Sequence, residues 1–173
     1  MFPWRTINGE EASAYYAAGT AQYHINADIM YALRKYVQAT GDELFLREYG
    51  AEMLVETARL WADLGFFSEA KRGKFCINGV TGPDEYNAVV NNNAYTNLMA
   101  RENLRYAIQV VVSLREAEPD AYNALVHKTA LAPSEVTACQ TPLLIDAKAT
   151  CITRSDSTSM RSGITGHRRG TEL

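Results

Sequence analysis

The segment Gly79-Val80-Thr81-Gly82-Pro83-Asp84-Glu85-Tyr86 sets two adjacent carboxylic acids and a phenol on a turn. The amide-rich run Asn91-Asn92-Asn93-Ala94-Tyr95-Thr96-Asn97 follows soon after it. Gly82 supplies a flexible joint, and Pro83 fixes its own φ and steers Gly82 away from helix. Asp84 and Glu85 therefore project from a restrained backbone. A protonated carboxyl held in this way can donate to the leaving oxygen of a glycosidic bond. Adjacent carboxylates repel, and burial of either raises its pKa toward the protonated form that such an acid needs. The same residues also suit an ordinary turn into a helix, where the dipole favours acids. Spacing alone leaves both readings open.

The elements that must hold this turn read as helices. From about Thr20, Tyr23, Ala27, Met30, Tyr31, Leu33 and Val37 recur at three- and four-residue steps and make one apolar face. Gly41 stops that helix, and Asp42 is placed to cap the next, which carries Leu46, Met53, Leu54, Ala58 and Trp61 to about Gly65. Glu48, Glu52 and Glu56 stand four apart along it, as on a solvated face. Residues 66 to 90 form a connection longer than structureless loops usually are. Its apolar content argues for order, with a tight turn at Lys71-Arg72-Gly73-Lys74 and a short strand at Phe75-Cys76-Ile77. A third helix is expected from about Asn91 to Ala117, with Leu98, Leu104, Ala107, Ile108, Val111 and Leu114 inward. A fourth is expected from Pro119, a favoured first-turn residue, to about Leu131. The sum is an all-α antiparallel array.

Composition divides the chain. All 17 aromatic residues lie at or before Tyr122, while 11 of the 37 residues from Thr137 to Leu173 are Ser or Thr. Residues 1–136 carry 12 basic and 17 acidic side chains and the remainder 5 and 3. A stretch without aromatics or periodicity cannot offset its ordering entropy, so 137–173 is expected to be disordered or foreign to the fold. A net charge of −3 with no basic stripe argues against nucleic acid. No apolar run approaches a membrane span, and no leader core is present, so a cytoplasmic protein is expected. Cys76, Cys139 and Cys151 show neither metal-ligand spacing nor a disulfide framework.

Several segments occur in one order: Phe2-Pro3-Trp4-Arg5-Thr6-Ile7-Asn8-Gly9-Glu10-Glu11, Tyr23-His24-Ile25-Asn26-Ala27-Asp28-Ile29, Thr40-Gly41-Asp42, Gly82-Pro83-Asp84-Glu85-Tyr86 and Asn91 to Asn97. Together they closely resemble the catalytic domain of glycoside hydrolase family 65. Within it they are nearest the phosphorylases of kojibiose and trehalose, with maltose phosphorylase more distant. The resemblance covers roughly residues 1–136 and implies part of an (α/α)₆ barrel. It implies that Glu85 is the general acid of an inverting phosphorylase that cleaves an α-glucosyl disaccharide. Inorganic phosphate is the co-substrate, with no metal or other cofactor, and the products are β-glucose 1-phosphate and a free sugar.

The resemblance also implies a sugar pocket. Trp4, Arg5, Glu10 and Glu11 fall where family members build part of it, and Tyr15 lies in a loop bordering the acceptor subsite. His24, Asp84 and Tyr86 are candidate sugar contacts, and Asn91 and Asn93 candidate orienters of Glu85. The residues themselves allow plainer roles: Trp4 as a core anchor, His24 as a structural partner at a helix start, the asparagines as caps.

A whole barrel needs about twelve helices, well over the length present here. The family's downstream Lys-Gln and phosphate-binding elements have no counterpart, and Met1 falls inside the barrel. The expectation is a gene fragment broken by a frameshift after about Val136 and inactive by itself, although intact relatives are expected to be homodimers. Two other classes stand beside this one: a trehalase-type hydrolase of the same family, whose base lies elsewhere, and a non-catalytic helical module that binds sugar or a partner chain.

Overall fold

The chain is described by a computed structural model over residues 1–13, 20–84, 86 and 88–136. The expected disorder of 137–173 concerns residues outside that range. Helix α1 (His24–Thr40) buries Ala27, Met30, Leu33 and Val37 along one stripe. Gly41 closes it in the left-handed region (φ 70°) with its N–H on the Val37 carbonyl. Asp42 then caps the next segment, its carboxylate accepting from the Phe45 N–H at 3.0 Å. One short turn, α2 (Glu43–Phe45), leads through a π-helical stretch (Leu46–Gly50) into α3 (Ala51–Leu64). A β-carbon on Gly50 would stand 3.0 Å from Leu33 Cδ2 and Leu46 Cδ1, so the missing side chain lets this stretch approach α1.

Helix α4 (Ala94–Ala117) packs against both α1 and α3, and α5 (Pro119–Thr129) folds back on it, with Pro119 in its first turn. The core between them holds Met30, Leu54, Trp61, Leu104, Ala107 and Val111. Fully buried Trp61 donates its indole N–H to Asn103 Oδ1 at 3.0 Å, and Asn103 Nδ2 donates to Thr57 Oγ1 at 3.1 Å. This network satisfies polar atoms that would otherwise be costly in an apolar core. Arg59 of α3 reaches the Thr129 carbonyl at 2.9 Å and grips Glu135 with two nitrogens, at 2.7 and 3.0 Å. That clamp ties the end of α5 and the helical residues 133–136 to α3.

The described residues are predominantly helical, as expected, with two short two-stranded hairpins beside the helices. Strands β1 (Thr6–Ile7) and β2 (Glu10–Glu11) pair around Asn8 (φ 57°) and Gly9 (φ 84°). Asn-Gly is the sequence favoured by such two-residue hairpin turns, because both positions need positive φ. Strands β3 (Gly65–Ser68) and β4 (Lys74–Ile77) pair with Phe66 opposite Cys76. The expected strand and the turn at Arg72 and Gly73, both at positive φ, are present. Its partner gave no alternating signal, because the adjacent Phe66 and Phe67 are both exposed. Gly65 lies directly beneath the Phe75 ring: a β-carbon there would sit 2.0 Å from Phe75 Cζ and push the ring aside.

Two residues expected inward lie out, Tyr31 at 48% and Leu98 at 36% exposure, each at the margin of its helix's stripe. Of the glutamate row, Glu52 pairs with Lys128 and Glu56 with Arg59, so the face is solvated and partly neutralised. Among the described residues no helix is long and apolar enough to cross a membrane.

Candidate active site

The loop that follows β4 is closed at its neck by backbone and asparagine hydrogen bonds. Val80 and Val90 exchange both N–H···O bonds, at 3.0 and 2.8 Å. Asn92 Oδ1 accepts from the Ile77 N–H at 3.1 Å, and the Asn92 N–H donates to the Ile77 carbonyl at 2.7 Å. Asn91 Oδ1 accepts from the Gly79 N–H at 3.0 Å. Asn93 caps α4 through the Thr96 N–H at 3.0 Å. The amide-rich run is therefore the fastening of the motif loop and the start of α4 in one segment. An extended backbone cannot pair its own polar groups locally, and these side chains supply the partners.

Thr81, fully buried, sits at the top of this neck. Its N–H donates to the Ala21 carbonyl at 3.0 Å, and its hydroxyl donates to the Ala88 carbonyl across the loop. His24, at 3% exposure, brings Nδ1 to 3.2 Å from the Thr81 carbonyl oxygen. Its Nε2 faces Asp28 Oδ2 at 3.9 Å, one turn along α1. Tyr95 of α4 meets the His24 ring edge-on, centroids 5.7 Å apart, and donates its hydroxyl to Asp28 Oδ1 at 2.8 Å. Tyr95 is 39% exposed, and partial desolvation, helped by the bond to Asp28, pushes its phenol up to about 12.

Beyond the neck the loop turns outward. Asp84 is exposed and accepts from the Tyr86 N–H at 3.2 Å, an Asx turn that bends the tip, and the Tyr86 side chain is 91% exposed. Glu85, the candidate acid, and Tyr15 lie outside the described residues. The other sequence candidates gather in the N-terminal hairpin. Trp4 is 42% exposed, so it offers a ring face rather than a core anchor. Glu11 bends back over the strand, accepting from the N–H groups of Trp4 at 2.5 Å, Arg5 at 3.2 Å and Ser13 at 2.8 Å. Ser13, whose nearby hydroxyl makes no hydrogen bond among the described residues, and those three N–H groups hold its carboxyl at about 2, well below the usual carboxylate range. Arg5 and Glu10 are exposed on the same hairpin.

The hairpin is tied to α1 just as the loop is. Asn26 Oδ1 accepts from the Phe2 N–H at 2.7 Å, and Asn26 Nδ2 donates to the Tyr23 carbonyl at 3.0 Å. The first turn of α1 thus anchors both segments, the hairpin through Asn26 and the loop through His24. Sequence reasoning singled out His24 but not Asn26, Asp28, Thr81 or Tyr95. Its available signal was the four-residue spacing of His24 and Asp28 at the edge of the apolar face. Among the described residues no group of three or more His, Cys, Asp or Glu side chains is gathered as for a metal ion.

Comparison with known proteins places this geometry in context. Residues 1–143 match the model of the "Glycosyl hydrolase family 65 central catalytic domain". The alpha,alpha-trehalose phosphorylase of Thermoanaerobacter brockii is 56% identical over 138 residues, covering 80% of this chain and 18% of the relative. The kojibiose phosphorylase of Caldanaerobacter subterraneus is 42% identical, covering 68% and 15%. The maltose phosphorylase of Bacillus subtilis is 40% identical, covering 66% and 15%. A solved structure named "Putative kojibiose phosphorylase from human microbiome" superposes with a TM-score of 0.72 at 29% identity, covering 82% of this chain and 20% of that one. The chain spans less than a fifth of the length of the curated relatives it matches.

Proposed function

The chain belongs to the central catalytic domain of glycosyl hydrolase family 65, and on that premise we propose that it carries the acid-bearing part of an inverting disaccharide phosphorylase site. Glu85 protonates the glycosidic oxygen as the bond to the anomeric carbon breaks. Inorganic phosphate attacks that carbon from the opposite face, giving β-glucose 1-phosphate and a free sugar. Phosphate takes the role that water and a carboxylate base have in an inverting hydrolase, so one protein carboxyl group is enough. Glu85 then regains a proton for the next cycle.

The observation that carries this reading is the loop neck. Reciprocal Val80–Val90 bonds, three asparagines and the His24 contact to Thr81 fix the neck on both sides of the Gly-Pro-Asp-Glu-Tyr motif. A general acid works only when held close to its reacting oxygen. Trp4 and Arg5, exposed on a hairpin anchored two residues from His24, fit a sugar-stacking face and a hydroxyl donor. Glu11 orders that hairpin, and Glu10, Tyr15, Asp84 and Tyr86 are the remaining sugar contacts in the proposal.

Four principal helices make one part of an (α/α)₆ barrel in this reading, with the phosphate-binding side chains supplied by the remainder of such a domain. Exposed Leu44, Phe45 and Tyr49 support it, as apolar surface that neighbouring helices would cover. By itself the chain is then inactive. Residues 1–136 grafted in place of the matching segment of the T. brockii trehalose phosphorylase provide the test. Trehalose cleavage that requires phosphate and yields β-glucose 1-phosphate supports the proposal, whereas glucose release that ignores phosphate makes the segment a hydrolase's.

A further inference from the structure

His24 reaches one carbonyl of the acid-bearing loop, and Asp28 and Tyr95 from two helices stand behind its ring. We propose that Tyr95, Asp28 and His24 form a positioning relay that sets the loop neck at Thr81, and with it the place from which Glu85 reaches its substrate. This rests on the reading of Glu85 as the acid. It adds three residues that act through the loop rather than on the sugar.

The chemistry of the contacts fixes the direction of the relay. A carbonyl oxygen only accepts, so His24 Nδ1, 3.2 Å from the Thr81 oxygen, must be the protonated nitrogen. The other ring nitrogen faces Asp28 Oδ2 at 3.9 Å, beyond hydrogen-bond reach, so the carboxylate acts on the ring as a nearby charge. Asp28 in turn is held by the Tyr95 hydroxyl at 2.8 Å, and the Tyr95 ring closes against the imidazole edge. Tyr95 lies in the first turn of α4, directly after the asparagines that fasten the loop. A shift of α4 relative to α1 would therefore move both the asparagine fastening and the imidazole. Thr81 is the point where that shift meets the loop, because its N–H and hydroxyl already join it to Ala21 and Ala88.

A sugar-contacting role for His24 makes a different demand. It needs a ring nitrogen open to a ligand, yet the side chain is 3% exposed and its protonated nitrogen is engaged by the protein.

The first part of the test uses the 173-residue chain and needs no turnover. Long-range nitrogen–proton spectra are expected to show His24 protonated at Nδ1, and Tyr95→Phe to move those signals although it removes only one oxygen. His24→Leu is expected to speed amide exchange at Val80 and Val90 about tenfold more than at Leu54 and Ala58 of α3. His24→Asn, whose amide nitrogen falls near the Nδ1 position, is expected to restore most of the protection. A bare Nδ1, or loop and α3 amides loosened equally, overturns the relay and leaves His24 a core residue. Should His24→Leu fail to fold, Tyr95→Phe decides, since it is expected to loosen the loop amides about threefold and the α3 amides hardly at all. In the grafted enzyme, Tyr95→Phe is expected to lower kcat about tenfold with KM within twofold. A change in KM alone would place the three residues in sugar binding and overturn positioning. Loop exchange that behaves as expected while Glu85→Gln leaves turnover intact would sink the acid assignment and spare the relay's geometry.

Discussion

The side chain of Asn93 lies so close to Gly82 that a β-carbon on the glycine would stand 2.5 Å from Asn93 Nδ2. The same carboxamide caps α4, with Oδ1 accepting from the Thr96 N–H at 3.0 Å. One side chain thus seats the motif turn and starts the helix behind it. Gly82→Ala must displace Asn93 from the cap, and Asn93→Ala removes the cap outright. Each is expected to cost about 1 kcal/mol, the size of a typical N-cap. Because both act on one contact, the double variant is expected to lose little more than the larger single loss. Urea unfolding of the three variants measures this, and additive losses would mean that the turn and the cap are independent.

The core network makes a second prediction. Asn103→Ala strands the Trp61 indole N–H in the core, while the Thr57 hydroxyl keeps its bond to the Met53 carbonyl at 2.8 Å. An unsatisfied buried donor costs on the order of 1–3 kcal/mol, and the lost volume adds to it. Urea unfolding followed by tryptophan emission is expected to show a loss of at least the lower figure. An unchanged midpoint would mean that water or another side chain has replaced Asn103.

Acid should loosen the clamp between α3 and residues 133–136. The Arg59 guanidinium, and then the Ala132 N–H, hold the Glu135 carboxyl below its ordinary 4.5. A carboxyl whose pKa is lowered by folding stabilises the fold fully above its unfolded value, and that contribution disappears as pH falls through the folded value. Both partners are about one-third exposed, so solvent screening keeps the contribution to about 1 kcal/mol. Thermal melts of the wild type and Glu135→Gln are expected to differ at neutral pH and to converge in acid. A constant difference would contradict the ion pair.

Glu11 should report on the hairpin directly. With its carboxyl at about 2, the amide signals of Trp4, Arg5 and Ser13 are expected to titrate together near that pH. The carboxylate's grip is complete above the ordinary carboxylate range and is lost as pH falls through about 2. Glu11→Gln is expected to abolish the shared titration. Titration of the three amides at separate pH values would show that Glu11 does not organise them.

Much of this architecture is visible in the residues. Gly41, Asp42 and Pro119 mark helix ends because positive φ, a short acceptor and a missing N–H each have few other uses. The apolar periods locate α1, α3 and α4. What stayed hidden depended on contacts between distant segments. Phe66 and Phe67 face solvent, so β3 carries no alternation, and its pairing follows from Gly65 beneath Phe75. The hairpin at Asn8-Gly9 was not expected, because strands of two residues have no period to find, although Asn-Gly is hairpin-turn chemistry. At the candidate site the motif disclosed the loop, and a helix-start histidine disclosed His24. The role of Tyr95 could not be read, because an exposed tyrosine near a cap looks the same whether or not Asp28 lies opposite.

Glu85 is the residue on which the proposed chemistry turns. The decisive comparison is phosphate-dependent trehalose cleavage by the T. brockii enzyme carrying residues 1–136, with Glu85 intact and with Glu85→Gln. General acids contribute about 10²–10⁴-fold, so a loss of that size in kcat with little change in KM is expected. A Glu85→Gln graft that still releases glucose 1-phosphate at an undiminished rate would show that the acid is another group.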